Sequence, residues 1–409
     1  MSVLPRFIPR IPVNDPARMS PAELRASLVL SSIFALRLFG MFIILPVFTL
    51  WAEGRPGWSL TLAGVALGAY GLTQGILQLP FGWLSDRKGR KPIIYFGLVV
   101  LALGSFVCAI GESPWVVILG RVLQGAGAIS ATVLAMAADL TRESQRTKTM
   151  AIIGSTIGAV FALSFVLGPW LQKAVGVQGI FALTGLLALA AILVVRFFVP
   201  DVPPVARSPE AVSLGAVLRD PELIRLNVGI FALHGVLMAV FVVVPVALAR
   251  AGLPAGNHAL LYLGCVGVGF VLMLPAVMGR WSHRERPVFL LSIGIVAASL
   301  AVLALGLGSV TAIVVALVIF FTGFNVLEAK LPALVSRAAP REAKGAATGV
   351  YSSVQFLGTF AGGAAGGAVA QHAGFLPVIV GCLVLTVLWL AAAWNMGEFV
   401  PAASPASRP

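Results

Sequence analysis

Charge is scarce in this 409-residue chain: Asp, Glu, Lys and Arg together make up 11%. A water-soluble domain covers itself with roughly 25% charged residues. A soluble globular fold is therefore excluded for a chain that is 59% hydrophobic with a mean hydropathy of +1.00. Cysteine occurs three times, as Cys108, Cys265 and Cys382, each inside an apolar run and without a CxxC or Cys/His grouping. Neither a disulfide framework nor a structural metal is expected from that pattern. The four histidines are scattered. HExxH, GxxxxGK[ST] and a Gly-rich strand-turn-helix are all missing, which argues against metal-dependent hydrolysis, ATP drive within the chain and a dinucleotide cofactor. No cofactor and no enzymatic activity are expected; any work the protein performs draws on gradients.

What is abundant is apolar length. Hydropathy places segments at 27–50, 60–81, 92–111, 114–138, 148–171, 176–198, 224–248, 258–279, 287–307, 309–335, 346–370 and 374–396. Each approaches or exceeds the roughly 20 residues that a helix needs to cross a hydrocarbon core. The expected fold class is an all-α polytopic membrane protein with twelve transmembrane helices in two pseudo-symmetric six-helix bundles. Its divisions are a flexible tail over 1–26, a first bundle over 27–198, a linker over 199–223, a second bundle over 224–396 and a tail over 397–409.

Charge asymmetry tests the segmentation independently. Lys and Arg number 28 against 15 Asp and Glu. With charges near a span end counted to the adjoining loop, 22 of them fall in the termini and even-numbered loops. Arg37, Arg121 and Lys330 lie within spans, and only Arg55, Lys173 and Arg250 occupy odd-numbered loops. The positive-inside rule then puts both termini in the cytoplasm. A pI near 10.6 reports topology rather than a nucleic-acid partner, because the basic residues are dispersed and no aromatic-interleaved stripe accompanies them. The Pro-rich start shows no signal-peptide pattern, so the first span is expected to act as its own insertion signal.

One turn breaks the shortage of charge. "GWLSDRKGRKP", residues 82–92, carries Asp86, Arg87, Lys88, Arg90 and Lys91. An echo follows 197 residues later, where Gly279, His283 and Arg284 match Gly82, Asp86 and Arg87. Weak internal repetition of this kind is typical of secondary transporters, which bind substrate near the membrane midplane between repeats. Gly82 and Gly89 are expected to permit a tight reversal and close helix approach, and Asp86 to pair with arginine across the cytoplasmic face. Pairs that form in one arrangement of the halves and separate in the other would make a conformational latch.

These residues resemble the signature of the major facilitator superfamily, G-x-L-[AS]-D-R-x-G-R-[KR], met by Gly82, Leu84, Ser85, Asp86, Arg87, Gly89, Arg90 and Lys91. Arg121, Gln124, Gly125 and Gly127 fit the family's R-x-x-Q-G-x-G in the fourth helix, and Asp139 with Arg142 resembles the acid-and-arginine element that follows it. Among these proteins the chain is most similar to bacterial drug:proton antiporters with "RLFGLF...LP" in the first helix. Their fifth-helix motif is present in part: Gly168 and Pro169 fit, Trp170 departs, and Gly154 and Gly158 supply spaced glycines upstream as a helix-packing motif.

Ionisable groups inside spans carry the chemistry, since each is costly in hydrocarbon unless paired or facing water. Arg37 lies in mid-span 1, Arg121 in span 4 near Gln124, His234 in span 7, and Glu328 with Lys330 in span 10. The repeat offset aligns Arg37 with His234. Glu328 is the one carboxylate that the segmentation places within a span, and is either a proton carrier or a partner of Lys330 or a nearby arginine. For Arg121 the readings are proton handling, suggested by the resemblance, or hydrogen bonding to backbone carbonyls. Phe34, Tyr70, Gln74, Asn325, Tyr351 and Gln355 are expected to line an apolar cavity with scattered amides.

The resulting expectation is a transporter working by alternating access. It would export small hydrophobic or amphiphilic compounds in exchange for protons, as a monomer in the bacterial inner membrane, with the bilayer, protons and a small-molecule substrate as partners and no nucleic acid. The alternatives are a carrier of a sugar or organic anion, for which Arg37 would bind the anion, and a transport-inactive receptor or scaffold.

Overall fold

The computed structural model describes residues 19–201, 214–278, 281, 284–340 and 343–397. Among them every regular element is a helix. The first set comprises α1 (Pro21–Phe42), α2 (Phe48–Ala52), α3 (Leu60–Lys88), α4 (Arg90–Ile110), α5 (Pro114–Ala126), α6 (Ser130–Asp139) and α7 (Arg146–Phe198). The second comprises α8 (Leu214–Arg219), α9 (Pro221–Arg250), α10 (His258–Val277), α11 (Glu285–Leu305), α12 (Val310–Ala338), α13 (Lys344–Ala373) and α14 (Phe375–Trp394).

Ten helical segments among the described residues are long and apolar enough to cross a membrane. One of them contains α7, whose 53 residues would run about 80 Å at 1.5 Å per residue, against a hydrocarbon core of about 30 Å. Gly176 breaks it, with φ 73° and ψ 174°, a conformation that a Cβ disfavours. α13 stands outside the ten, yet its 30 residues pack between α3 and α9. The chain is an all-α, multi-pass membrane protein.

Several expected boundaries move. Residues 21–26 belong to α1 rather than to a flexible tail, because Ser20 and Glu23 form a capping box. The Glu23 amide donates to the Ser20 hydroxyl at 3.2 Å and the Ser20 amide donates to the Glu23 carboxylate at 2.8 Å, satisfying two otherwise orphaned donors. The first span is interrupted after Phe42 by turns over 43–47 before α2. The fourth is cut at 127–129, where Gly127 presses its backbone on the Gly97 carbonyl of α4. At the linker, Asp220 caps α9 by accepting from the Glu222 and Leu223 amides, so this helix starts at Pro221 rather than 224. Residues 1–18, 202–213 and 398–409 of the expected tails and linker, and Gly279 and His283 of the repeat, lie outside the described residues.

Contacts within each set hold it together: α1 on α7, α4 on α5 and α7 in the first, α11 on α12 and α14, α10 on α12 in the second. The sets meet chiefly where α3 lies along α13. Gly64, Gly68, Gly71 and Gly75 recur at helical spacing on one face of α3, and the backbone of α13 rests on them. A Cβ on Gly68 would stand 2.8 Å from the Phe360 oxygen, one on Gly71 2.5 Å from the Phe356 oxygen, and one on Gly75 2.8 Å from the Ser353 oxygen. Gly358, Gly362 and Gly366 bring a second face of α13 equally close to α9 at Phe231, Gly235 and Ala239. Small residues that let backbones approach are the main packing device of helices in lipid, where hydrophobic association contributes little.

Candidate functional site

A chain of aromatic rings joins the two sets in mid-molecule. Phe161 of α7 stacks on Phe324 of α12 with centroids 5.6 Å apart, and Phe165 meets Phe241 of α9 at 4.7 Å. Gly158 and Gly154 lie three and seven residues before Phe161, hence on the same face of α7. Both are exposed, and a Cβ on either would meet nothing within 4 Å. The expectation that these two glycines pack a helix is corrected for this conformation, in which neither has another helix against it. Gly168 behaves otherwise, since a Cβ there would stand 2.5 Å from the Ile43 oxygen; Pro169 follows it inside α7.

The seam is shut at the end where α9 finishes. Arg250 donates to Glu53 at 2.6 Å, the Leu60 amide donates to the Gln371 side chain at 2.9 Å, and the Thr49 hydroxyl donates to the Phe241 carbonyl at 3.3 Å. A cavity of about 310 Å³ lined by Glu53, Trp58, Arg250, Gln371 and Phe375 sits there. Sequence reading missed this bridge because loop charges at odd-numbered turns carry no motif.

The opposite, basic end holds the signature residues. Gly89, with φ 91°, ends α3 and starts α4. Gly82 makes no such turn: it lies inside α3, and a Cβ there would stand 3.6 Å from that of Ala131, ordinary contact. Its expected part in the reversal is corrected accordingly. Arg90 donates to Asp139 at 2.9 Å, to Ser85 at 2.8 Å and to Asp86, fastening α3, α4 and α6 of one set to each other. Arg87 lies over the Trp83 ring, 3.8 Å from its centroid. Lys91 reaches Asp201 at 2.9 Å and holds that carboxyl below the usual carboxylate range. Arg142 grips Glu23 through its amide, Nε and Nη2 at 2.9–3.0 Å, a pairing that the sequence did not suggest.

Two buried basic groups of the first set differ in their satisfaction. Arg121 donates from Nε to the Ala66 carbonyl at 3.2 Å, from Nη1 to Gln124 at 2.7 Å and from Nη2 to the Leu67 carbonyl at 3.4 Å. Gln124 in turn donates to Ser105 at 2.8 Å. Arg37 is 1% exposed and donates only from Nη1, to the Ser130 hydroxyl at 2.6 Å. Its Nε and Nη2 have no acceptor among the described residues. Tyr70 is shared by the two guanidinium groups, its ring centroid 4.9 Å from Arg121 and 5.8 Å from Arg37. Tyr70 and Gln74 are therefore core groups in this conformation rather than open cavity surface, and Phe34 and Tyr351 are buried as well.

In the second set His234 and Glu328 come together, Nε2 to Oε1 at 3.2 Å. Lys330 is not the partner, because residues two apart on a helix face different ways. The Gln355 amide nitrogen stands 2.9 Å from the same His234 nitrogen, and the Phe324 ring lies beside the imidazole. Asn325 and Gln355 are half-buried here. With Nε2 bare, His234 accepts from the Gln355 amide; with the ring protonated, it becomes the cationic neighbour of the Glu328 carboxylate, whose Oε1 has no hydrogen-bond donor among the described residues. One atom thus has two partners that require different proton states.

The family model described as Major Facilitator Superfamily matches residues 30–363. The inner membrane transport protein YajR of Escherichia coli is 40% identical over 391 residues, covering 94% of this chain and 86% of that protein. The multidrug resistance protein MdtH of Klebsiella pneumoniae is 25% identical over 316 residues, 76% of this chain and 78% of that one. Among solved structures, a bacterial homologue of the human lysosomal transporter Spinster, in an inward-facing and unoccupied conformation, superposes with a TM-score of 0.71 at 13% identity, over 95% of this chain and all of the other, which shows a shared fold. With a match over most of its length and an all-helical membrane architecture in hand, the chain belongs to the Major Facilitator Superfamily and is a secondary transporter, not an enzyme.

Proposed function

We propose that the protein exports small hydrophobic or amphiphilic compounds in exchange for protons by alternating access, as a monomer of twelve spans in the bacterial inner membrane with both termini in the cytoplasm. Twelve is reached by counting α7 as two spans across Gly176 and adding α13 to the apolar segments. The basic end is then cytoplasmic, and the conformation, shut at Glu53–Arg250 and parted at Gly154 and Gly158, is open inward.

The observation that carries the reading is the His234–Glu328 pair, an ionisable couple inside hydrocarbon-spanning helices beside the aromatic seam. Such groups are retained in membranes mainly for proton or substrate pathways. Substrate entering from the basic end would meet Phe161 and Phe324 and press on the pair. Transfer of a proton onto Glu328 removes a charge that opposes closure in an apolar seam, so rocking of one set against the other is biased by protonation. Closure would bring the Gly154–Gly158 face of α7 against the second set and break the Glu53–Arg250 bridge. Arg90, with Asp86 and Asp139, keeps the first set rigid during the movement.

The test is the internal pH of inverted membrane vesicles on adding a panel of lipophilic compounds. Substrate-dependent release of preloaded protons supports exchange. Accumulation of substrate that ignores the pH gradient contradicts it.

A further inference from the structure

We infer that Arg37, with Ser130 and Gln74, is a binding site for the carboxylate of an anionic substrate; this names the substrate class within the export reading and rests on it. A guanidinium in a dry interior is costly unless its donors are met. Arg121 shows how this fold meets them, with all three nitrogens on acceptors of the chain. Arg37 is as deeply buried, and among the described residues no carboxylate pairs with it. Its one bond, from Nη1 to Ser130, fixes the plane of the group and leaves Nε–H and Nη2–H unmatched. Those two donors lie on the same edge of a guanidinium and point in parallel, the fork that matches the two oxygens of a carboxylate.

The neighbours fit an anion that also carries a donor. Gln74 donates from Nε2 to Gln78 at 2.7 Å and to Ser130 at 3.3 Å, which orients its Oε1 away from both and without a donor of its own. Arg37 and Gln74 share Ser130, so the free fork and the free acceptor belong to one cluster of α1, α3 and α6. Tyr70 supplies an apolar wall. A small aromatic carboxylate with an adjacent hydroxyl carries both the acceptor pair that the fork lacks and the donor that the Gln74 oxygen lacks.

Salicylate, its neutral amide salicylamide, and sodium chloride are the probes, and the melting temperature of the purified protein in low-salt detergent is the readout. A saturable rise with salicylate but not with salicylamide is expected. The apparent affinity should fall at least about tenfold, a loss of about 1.4 kcal/mol, in Arg37→Lys, which keeps the charge and loses the fork, and fall in Gln74→Ala. A saturable rise with chloride alone that needs Arg37 supports the anion site and assigns it to an inorganic ion. Equal rises with salicylate and salicylamide, or a salicylate response unchanged in Arg37→Lys and Gln74→Ala, overturn the proposal; the comparison within the unmodified protein stands even where a variant fails to fold. Proton release driven by lipophilic cations in vesicles, observed together with that negative result, would leave proton-coupled export intact and remove only the anion.

Discussion

Glu328 Oε1 lies 3.2 Å from His234 Nε2, and the Gln355 amide nitrogen stands 2.9 Å from that same ring nitrogen. A bare Nε2 accepts from Gln355 of α13, whereas a protonated ring attracts the Glu328 carboxylate of α12, whose Oε1 has no hydrogen-bond donor among the described residues, so the proton state of His234 sets its balance between α12 and α13. His234→Gln removes that dependence while keeping a side chain that hydrogen-bonds. The expected result is a fall of about tenfold or more in proton-driven export, a loss of roughly 1.4 kcal/mol of coupling, with binding of substrate to the purified variant nearly unchanged. Unchanged export would detach His234 from coupling.

Gly158 offers a test of the rocking movement. Because Gly158 is exposed and a Cβ there meets nothing within 4 Å, the side chain of Gly158→Leu starts into open space in the observed conformation, with up to about 1 kcal/mol gained in helix propensity. It obstructs closure of the parted end. The variant should melt at or above the temperature of the unmodified protein and yet fail to transport, with labels reaching the basic end only. Full transport would show that this face of α7 never closes.

The bridge at the other end sets how readily the protein leaves this conformation. Arg250 is mostly exposed, so Glu53→Gln should cost about 0.2–1 kcal/mol and shift the population toward the opposite opening by up to about fivefold. Accessibility of a cysteine placed in the cavity beside Trp58 reads that shift. An unshifted population would mean that Gln371 and Thr49 alone hold the end shut.

Two glycines of α3 separate packing from motif. Gly71→Ala drives a methyl against the Phe356 carbonyl and should destabilise by about 1–3 kcal/mol, the usual penalty of overpacking. Gly82→Ala, although it changes the signature, meets only ordinary contact with Ala131 and should be neutral or stabilising in thermal melts. The reverse order would place the tight approach at the wrong end of the helix.

Asp201 supplies a pH test at the basic end. Its carboxyl is held below the usual range by the hydrogen bond from Lys91, so its contribution is present above about pH 4, the ordinary carboxylate value, and is lost as pH falls through the depressed one. Exposure makes that contribution small and salt-sensitive. Asp201→Asn should lower the melting temperature slightly at pH 7 and not at all at low pH or in high salt.

The membrane class and the family were legible because they rest on composition, span length and a local signature around Asp86. The capping box is written in "SPAE" at 20–23, but the prolines around it favour an extended tail over a helix start. The glycines of α3 recur at helical spacing, a local sign of the close approach to α13, whereas the motif glycine Gly82 marks no such contact. Partnerships across the fold were not legible. Nothing local in "LEAK" says that Glu328 meets His234 rather than Lys330, nor that Arg121 finds carbonyls while Arg37 does not, since each depends on which face of one helix meets which face of another.

The most direct measurement compares two activities of purified protein in liposomes, pH-driven substrate transport and substrate counterflow at equal pH, for the unmodified chain and Glu328→Gln. If Glu328 carries the proton, the variant keeps counterflow and loses pH-driven transport. A variant that retains pH-driven transport in full would contradict the account and leave the His234–Glu328 pair a structural contact.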